Sequence, residues 1–233
     1  MENKKEKKSF FTENRIEVFV AILLGVTALL TAWASWIGSL HGGNQATNYT
    51  KSNNLASQGN SDYNAGLQMY LSDIMTWNTL MEYSFELELA ESEGDEIKAE
   101  LVNAKLETYA EQNASEILLD GLDWMDANDA DSPFDMPGIT DEYFVTAQEE
   151  LQESQKLLEE GQRDNAKGDA YNLVSVIYSL VLFLLGIVGI FKRLPNRAVV
   201  LVIAAVGLVL VTIYMCTIPL PTGFAPLSYF GLK

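Results

Sequence analysis

Residues Tyr171 to Cys216 read YNLVSVIYSLVLFLLGIVGIF, KRLPNR, AVVLVIAAVGLVLVTIYMC: two uncharged apolar runs, 171–191 and 198–216, around a short turn, 192–197. An α-helix rises ~1.5 Å per residue, so roughly 20 apolar residues cross a ~30 Å hydrocarbon core. Each run is long enough, and the pair reads as a transmembrane hairpin. A third run lies far upstream: IEVFVAILLGVTALLTAWASWIGSL, residues 16–40, where Glu17 is the single charge. Together the three runs predict an integral membrane protein with one N-terminal and two C-terminal spans.

The flanks set an orientation. Lys4, Lys5, Lys7, Lys8 and Arg15 precede the first span, and Lys192, Arg193 and Arg197 fill the turn between the second and third. Positive flanks stay on the cytoplasmic side. Segments 1–15 and 192–197 are thus expected in the cytoplasm of a cell whose cytoplasmic (inner) membrane holds the chain. Residues 41–170 and the tail 217–233 are then extracytoplasmic. Ala32-Trp33-Ala34 has the small-x-small form of a signal-peptide cleavage site. The apolar run continues past it through Trp36 and Ile37, longer than the ~7–15 residues of a signal peptide core, and reads as a retained span.

Charge divides the same way. The 233 residues carry 32 Asp+Glu against 15 Lys+Arg, a net charge of −17. Segment 41–170 alone holds 28 acids and 6 bases, a balance of −22, and the remainder is +5. So acidic a chain lacks the basic footprint that nucleic acid requires. One cysteine, Cys216, excludes an internal disulfide framework and a Cys-rich metal site. One histidine, His41, excludes a multi-His centre.

The acidic segment has no alternating strand pattern and reads as helical, so the fold class is all-α: three transmembrane helices plus a helical bundle or coiled stalk. Tyr63, Leu67, Tyr70, Ile74, Trp77, Met81, Phe85 and Leu89 recur at three- and four-residue steps, one face of an amphipathic helix. Upstream, Gly42-Gly43 mark either a kink in a helix continuous with the first span, the favoured reading, or the start of a polar linker. Asp95 is placed to cap a second helix through Ile97, Leu101, Ala104 and Tyr109. Ile117, Leu118, Leu122, Trp124 and Met125 extend it or form a third. Pro133, Pro137 and Gly138 make 126–138 a loop. Thr140, with Asp141 and Glu142, is expected to open a last helix that runs into the second span. Its inner face is Tyr143, Ala147, Leu151, Ser154, Leu158, Gly161, Asn165 and Gly168. The small residues near the membrane permit close helix approach, or else supply flexibility.

SPFDMP (132–137), Glu142-Tyr143 and RDNAKGDAY (163–171), leading into VLFLLGI (181–187), resemble a group of uncharacterised prokaryotic membrane proteins. These have one N-terminal and two C-terminal transmembrane helices around a helical extracytoplasmic domain. The likeness covers most of the chain and is most specific over 132–187, with extra residues here between Pro137 and Tyr143. It implies architecture and a prokaryotic source, and no catalytic residues.

Candidate sites are few. Asp126, Asn128, Asp129, Asp131 and Asp135 offer hard oxygen ligands across the loop 126–135. An EF-hand fails there, because its fifth position would be Ala130 and its twelfth Pro137. A solvated acidic loop is the preferred reading. Trp33 and Trp36 suit a membrane interface, and Tyr63, Tyr70, Trp77 and Trp124 suit a core better than a ligand cage. His41 stands at the membrane surface with no catalytic partner near it in sequence. Cys216 reads as a buried small hydrophobe sooner than an intermolecular crosslink. The sequons at Asn48 and Asn113 carry no weight in a prokaryote. The spans hold no central charge, which disfavours pumps and coupled transporters. Pairs Ala21/Gly25, Ala28/Ala32 and Ala34/Gly38, and Gly186 with Gly189, allow close helix packing.

The sequence nominates no catalytic, cofactor-binding or metal-ligating residue. Its leading expectation is a structural or interaction protein, not an enzyme, homo-oligomeric in the lipid bilayer. Its acidic domain would self-associate or meet an unidentified membrane or extracytoplasmic protein. The alternative is a homo-oligomeric channel subunit, lined by Thr27, Thr31, Ser35, Ser175 and Ser179 beneath a cation-attracting acidic vestibule.

Overall fold

A computed structural model of the chain describes residues 13–191 and 193–226. The basic stretch Lys4 to Lys8, Lys192 of the turn and tail residues 227–233 lie outside the described residues. Among the described residues six α-helices follow in order: α1 (Glu13–Glu93), α2 (Glu96–Asn113), α3 (Glu116–Asn128), α4 (Ile139–Glu142), α5 (Val145–Ile187) and α6 (Leu194–Thr217). Single 3₁₀ turns lie at Pro133–Asp135 and Val188–Ile190, and no strand occurs among the described residues. The fold is all-helical. Parts of α1, α5 and α6 are long and apolar enough to cross a membrane.

Local chemistry explains the boundaries. α1 carries straight through Gly42-Gly43, so the linker reading falls away. Gly94, at φ 71°, adopts the left-handed conformation that ends α1. Asp95 then caps α2, its carboxylate accepting from the Lys98 amide at 3.1 Å. α3 is a separate helix because Ser115 leaves helical geometry and caps it, its Oγ accepting from the Leu118 amide. A cap of this kind stabilises a helix by ~1 kcal/mol. Thr140 is not a cap. It lies inside α4, whose N-cap is Gly138 in the left-handed conformation, and the long helix begins only at Val145. Pro133 and Pro137 thus interrupt 126–138 less than expected, with α3 reaching Asn128 and a 3₁₀ turn following.

The chain forms two compact units, Met1–Thr50 with Leu157–Lys233, and Lys51–Lys156. In the first, burial on α5 recurs every seven residues at Asp164, Tyr171, Tyr178 and Leu185, flanked by Val174, Val181 and Val188. α6 buries Leu201, Ala204, Leu208, Val211 and Met215, and α1 buries Ala34 and Ile37 against this cluster. The Tyr178 hydroxyl meets Thr212 Oγ1 at 2.9 Å. Gly38 and Gly168 approach closely: a Cβ at Gly38 would lie 3.6 Å from the Gly168 carbonyl oxygen. Close approach, not flexibility, is therefore what these glycines supply.

The second unit buries a different kind of stripe. On α1 it is Ser52, Gly59, Gly66, Asp73 and Leu80, again seven residues apart. Ser52 Oγ donates to the Ser154 carbonyl at 2.8 Å, and Ser154 Oγ returns a bond to the Ser52 carbonyl at 2.9 Å. The expected apolar face is displaced: Tyr63, Leu67, Phe85 and Leu89 are exposed, and Tyr70, Ile74, Trp77 and Met81 are half-buried. Closest approach of two backbones demands small side chains, so the large ones flank the seam instead of forming it. On α5 the expected inner face holds, with Tyr143 just ahead of it and Ala147 and Ser154 all buried.

Candidate functional site

Three arrangements bring chemistry-bearing side chains together, one in the span-bearing unit and two in the acidic unit. In the first, His41 is fully buried and its Nδ1 lies 2.8 Å from Asp164 Oδ1. Its Nε2 lies 3.1 Å from the Pro219 carbonyl oxygen. A carbonyl only accepts, so Nε2 carries a proton. A second proton must then lie between Nδ1 and the carboxyl, giving an imidazolium–carboxylate pair or its neutral equivalent. Tyr171 stacks on the ring at 5.8 Å and its hydroxyl donates to the Ile218 carbonyl at 3.2 Å. Phe224 packs edge-on against Trp33 and Trp36 at 6.0 and 5.7 Å. His41 is thus a clasp that holds the segment after α6 against α1 and α5. Sealed from solvent, it offers no place for a substrate. The seven-residue step back from Tyr171 points to Asp164, and reading that step would have found the partner.

In the second, Asp73 of α1 is buried and surrounded by donors. The Ser115 amide donates to Oδ1 at 3.1 Å, and the Ser115 hydroxyl and the Tyr143 hydroxyl, the latter at 2.8 Å, donate to Oδ2. The carboxylate also faces the positive end of α3. Burial, and then the bond to Asp73 and its charge, push the Tyr143 phenol well above its ordinary value. Tyr70 packs against Tyr143 and Phe134, and Tyr63 stacks on Phe144 at 4.9 Å. Tyr70 is therefore a half-buried packing aromatic, whereas Tyr63 stacks on the surface and is exposed, outside the core expected for it. Elsewhere in this unit Glu150 is raised by burial and by the neighbouring Asp62 carboxyl.

The third is a groove of about 460 Å³ between α1, α2 and α3. Trp77, Met81, Leu106, Leu122 and Met125 line it, and Asp126 and Asp131 stand on its exposed edge. The acidic loop otherwise disperses. Asn128 donates to the Trp124 carbonyl at 2.8 Å, and Asp129, at φ 53°, ends α3. Among the described residues no three Asp, Glu, His or Cys side chains gather as a metal would need.

The named span hydroxyls other than that of buried Thr27, whose Oγ1 has no partner, are used at home. Thr31 donates to the Thr27 carbonyl, Ser179 to the Ser175 carbonyl, and Ser35 meets Ser175 at 3.1 Å. Cys216 is exposed, which corrects the expectation of a buried thiol: α6 turns Met215 inward and leaves its neighbour outside.

Among the described residues these features define an all-helical protein with three helices long and apolar enough to cross a membrane, consistent with a multi-pass membrane protein. No family model matches the chain, and no curated protein or solved structure does either.

Proposed function

We propose that the chain is a structural, non-catalytic protein of the cytoplasmic membrane that assembles with copies of itself. It carries 41–170 as an acidic helical domain on the extracytoplasmic side. One observation carries the reading. The first span presents Ala21, Gly25, Ala28 and Ala32 as a single exposed stripe, and a Cβ at Gly25 would meet nothing within 4 Å. The buried residues Thr27, Ala34 and Ile37 point the other way. Lipid gives no hydrophobic drive for helix pairing, and small residues let helices approach closely enough for dispersion to act. Large exposed residues occur on all three helices, such as Ile22 and Leu29 on α1, Leu180 and Phe183 on α5, and Leu210 and Ile213 on α6, and the run of small residues lies beside them on α1. The seven-residue burial repeats support a coiled stalk in the acidic domain, and the basic flanks support the orientation.

Native mass spectrometry of the full chain in lipid nanodiscs tests this. An oligomer that dissociates on Gly25→Ile with Ala28→Ile is expected. A monodisperse monomer, with no homotypic crosslink in membranes, would sink the reading. The channel alternative draws less support, because four of its five hydroxyls, all but that of buried Thr27, already bond to carbonyls or to each other within one chain.

A further inference from the structure

We propose that the groove between α1, α2 and α3 binds a small organic cation with an apolar body, such as an aryl or alkyl quaternary ammonium compound. Its size is that of a small-molecule site, since such pockets hold ~300–1,000 Å³. Its walls are largely apolar and soft: Met81 and Met125 adapt to irregular shapes, and Trp77 is the side chain type that attracts a cation best. Its only charged lining residues are Asp126 and Asp131. None of the ion pairs among the described residues uses either carboxylate. Both therefore remain free for a ligand. The unit around the groove, 51–156, holds 24 acids and 4 bases, a field that concentrates cations and repels anions. An uncharged apolar ligand would leave the two carboxylates unused. The inference does not depend on self-association, for the groove is built within one chain.

The test uses the full chain in nanodiscs and two probes of equal shape, benzyltrimethylammonium and uncharged neopentylbenzene, followed by calorimetry and by Trp fluorescence. Saturable binding of the cation is expected, with Asp126→Asn plus Asp131→Asn weakening it roughly tenfold, as two partly exposed charge contacts would. The neutral probe should be unaffected by those changes. Ala110→Phe, which fills the groove, should abolish both signals while far-UV circular dichroism stays unchanged. If Ala110→Phe loses helicity, the surface Asp pair alone decides. Equal affinity for the two probes, or no saturation by about 10 mM cation, would overturn the proposal. So would binding of a basic amphipathic peptide at this groove without binding of the small cation, which would make it a protein-docking surface.

Discussion

Asp73 and Asp164 are both carboxylates shut away from water, one in each compact unit, and they are held by opposite means. Asp73 faces donors only: an amide, two hydroxyls and the start of a helix. Asp164 faces one ring that can give or take a proton. The first environment demands an acceptor at both oxygens. The second needs only complementarity at one bond. A buried charge can thus be made tolerable by fixed dipoles or by a titratable partner, and the two solutions respond differently to substitution.

The largest effect is expected at the donor-only site. Asp73→Asn sets an amide NH₂ against hydroxyls that now donate, at a cost of about 2–3 kcal/mol. Chemical unfolding of the full chain in micelles measures the loss, and hydrogen exchange should quicken first at the Leu118 amide. Gly66 comes next, since a Cβ there would collide with the Tyr143 carbonyl and the backbone carrying it. Overpacking costs ~1–3 kcal/mol, partly offset by the ~1 kcal/mol helix preference of Ala. A net loss of up to about 2 kcal/mol is predicted for Gly66→Ala. Gly25→Ala, in open space, should lose nothing within one chain.

Asp164→Asn should cost less, about 1 kcal/mol or below. The amide can donate to Nδ1 while Nε2 keeps its bond to Pro219, so a neutral imidazole satisfies both partners. Asp164→Leu leaves Nδ1 unmet and should release the segment after α6, read as faster exchange or proteolysis beyond Thr217. If Asp164→Asn proves as damaging as Asp73→Asn, the contrast between the two sites collapses.

Much of this fold was legible because membrane spans and caps are written in local chemistry. The three apolar runs, the Asp95 cap and the unbroken passage of α5 into the second span needed no tertiary knowledge. The seams did not follow from an apolar stripe. Ser52, Gly59, Gly66 and Asp73 are polar or small, and a search for hydrophobic periodicity passes over them. A search for seven-residue recurrence of small residues would have met them. His41 with Asp164 and Asp73 with Ser115 are separated by 123 and 42 positions, so only the helix pairing brings them together. Thr140 misled because a hydroxyl before two acids is a good cap signal, yet Gly138 took the left-handed position just ahead of it.

The smallest effect concerns a carboxyl with neither solution. Glu150 lies beside Asp62, and its Oε2 is buried with no hydrogen-bond partner. Burial first, then the neighbouring Asp62 carboxyl, raise it above its ordinary 4.5. A raised carboxyl holds its proton to higher pH when folded than when unfolded. Its contribution to stability is therefore complete below about 4.5 and is lost as pH rises through the folded value. Ionising Glu150 beside Asp62 is therefore unfavourable in the folded unit. Glu150→Gln removes that ionisation, so the variant should be slightly more stable than the parent near pH 7. That advantage should shrink as pH falls toward about 4.5. Paired thermal melts across this range read the difference directly, and other titrating carboxylates cancel in it. An advantage that grows on acidification would mean that Glu150 is stabilised as the anion, and that this pair belongs with Asp73 after all.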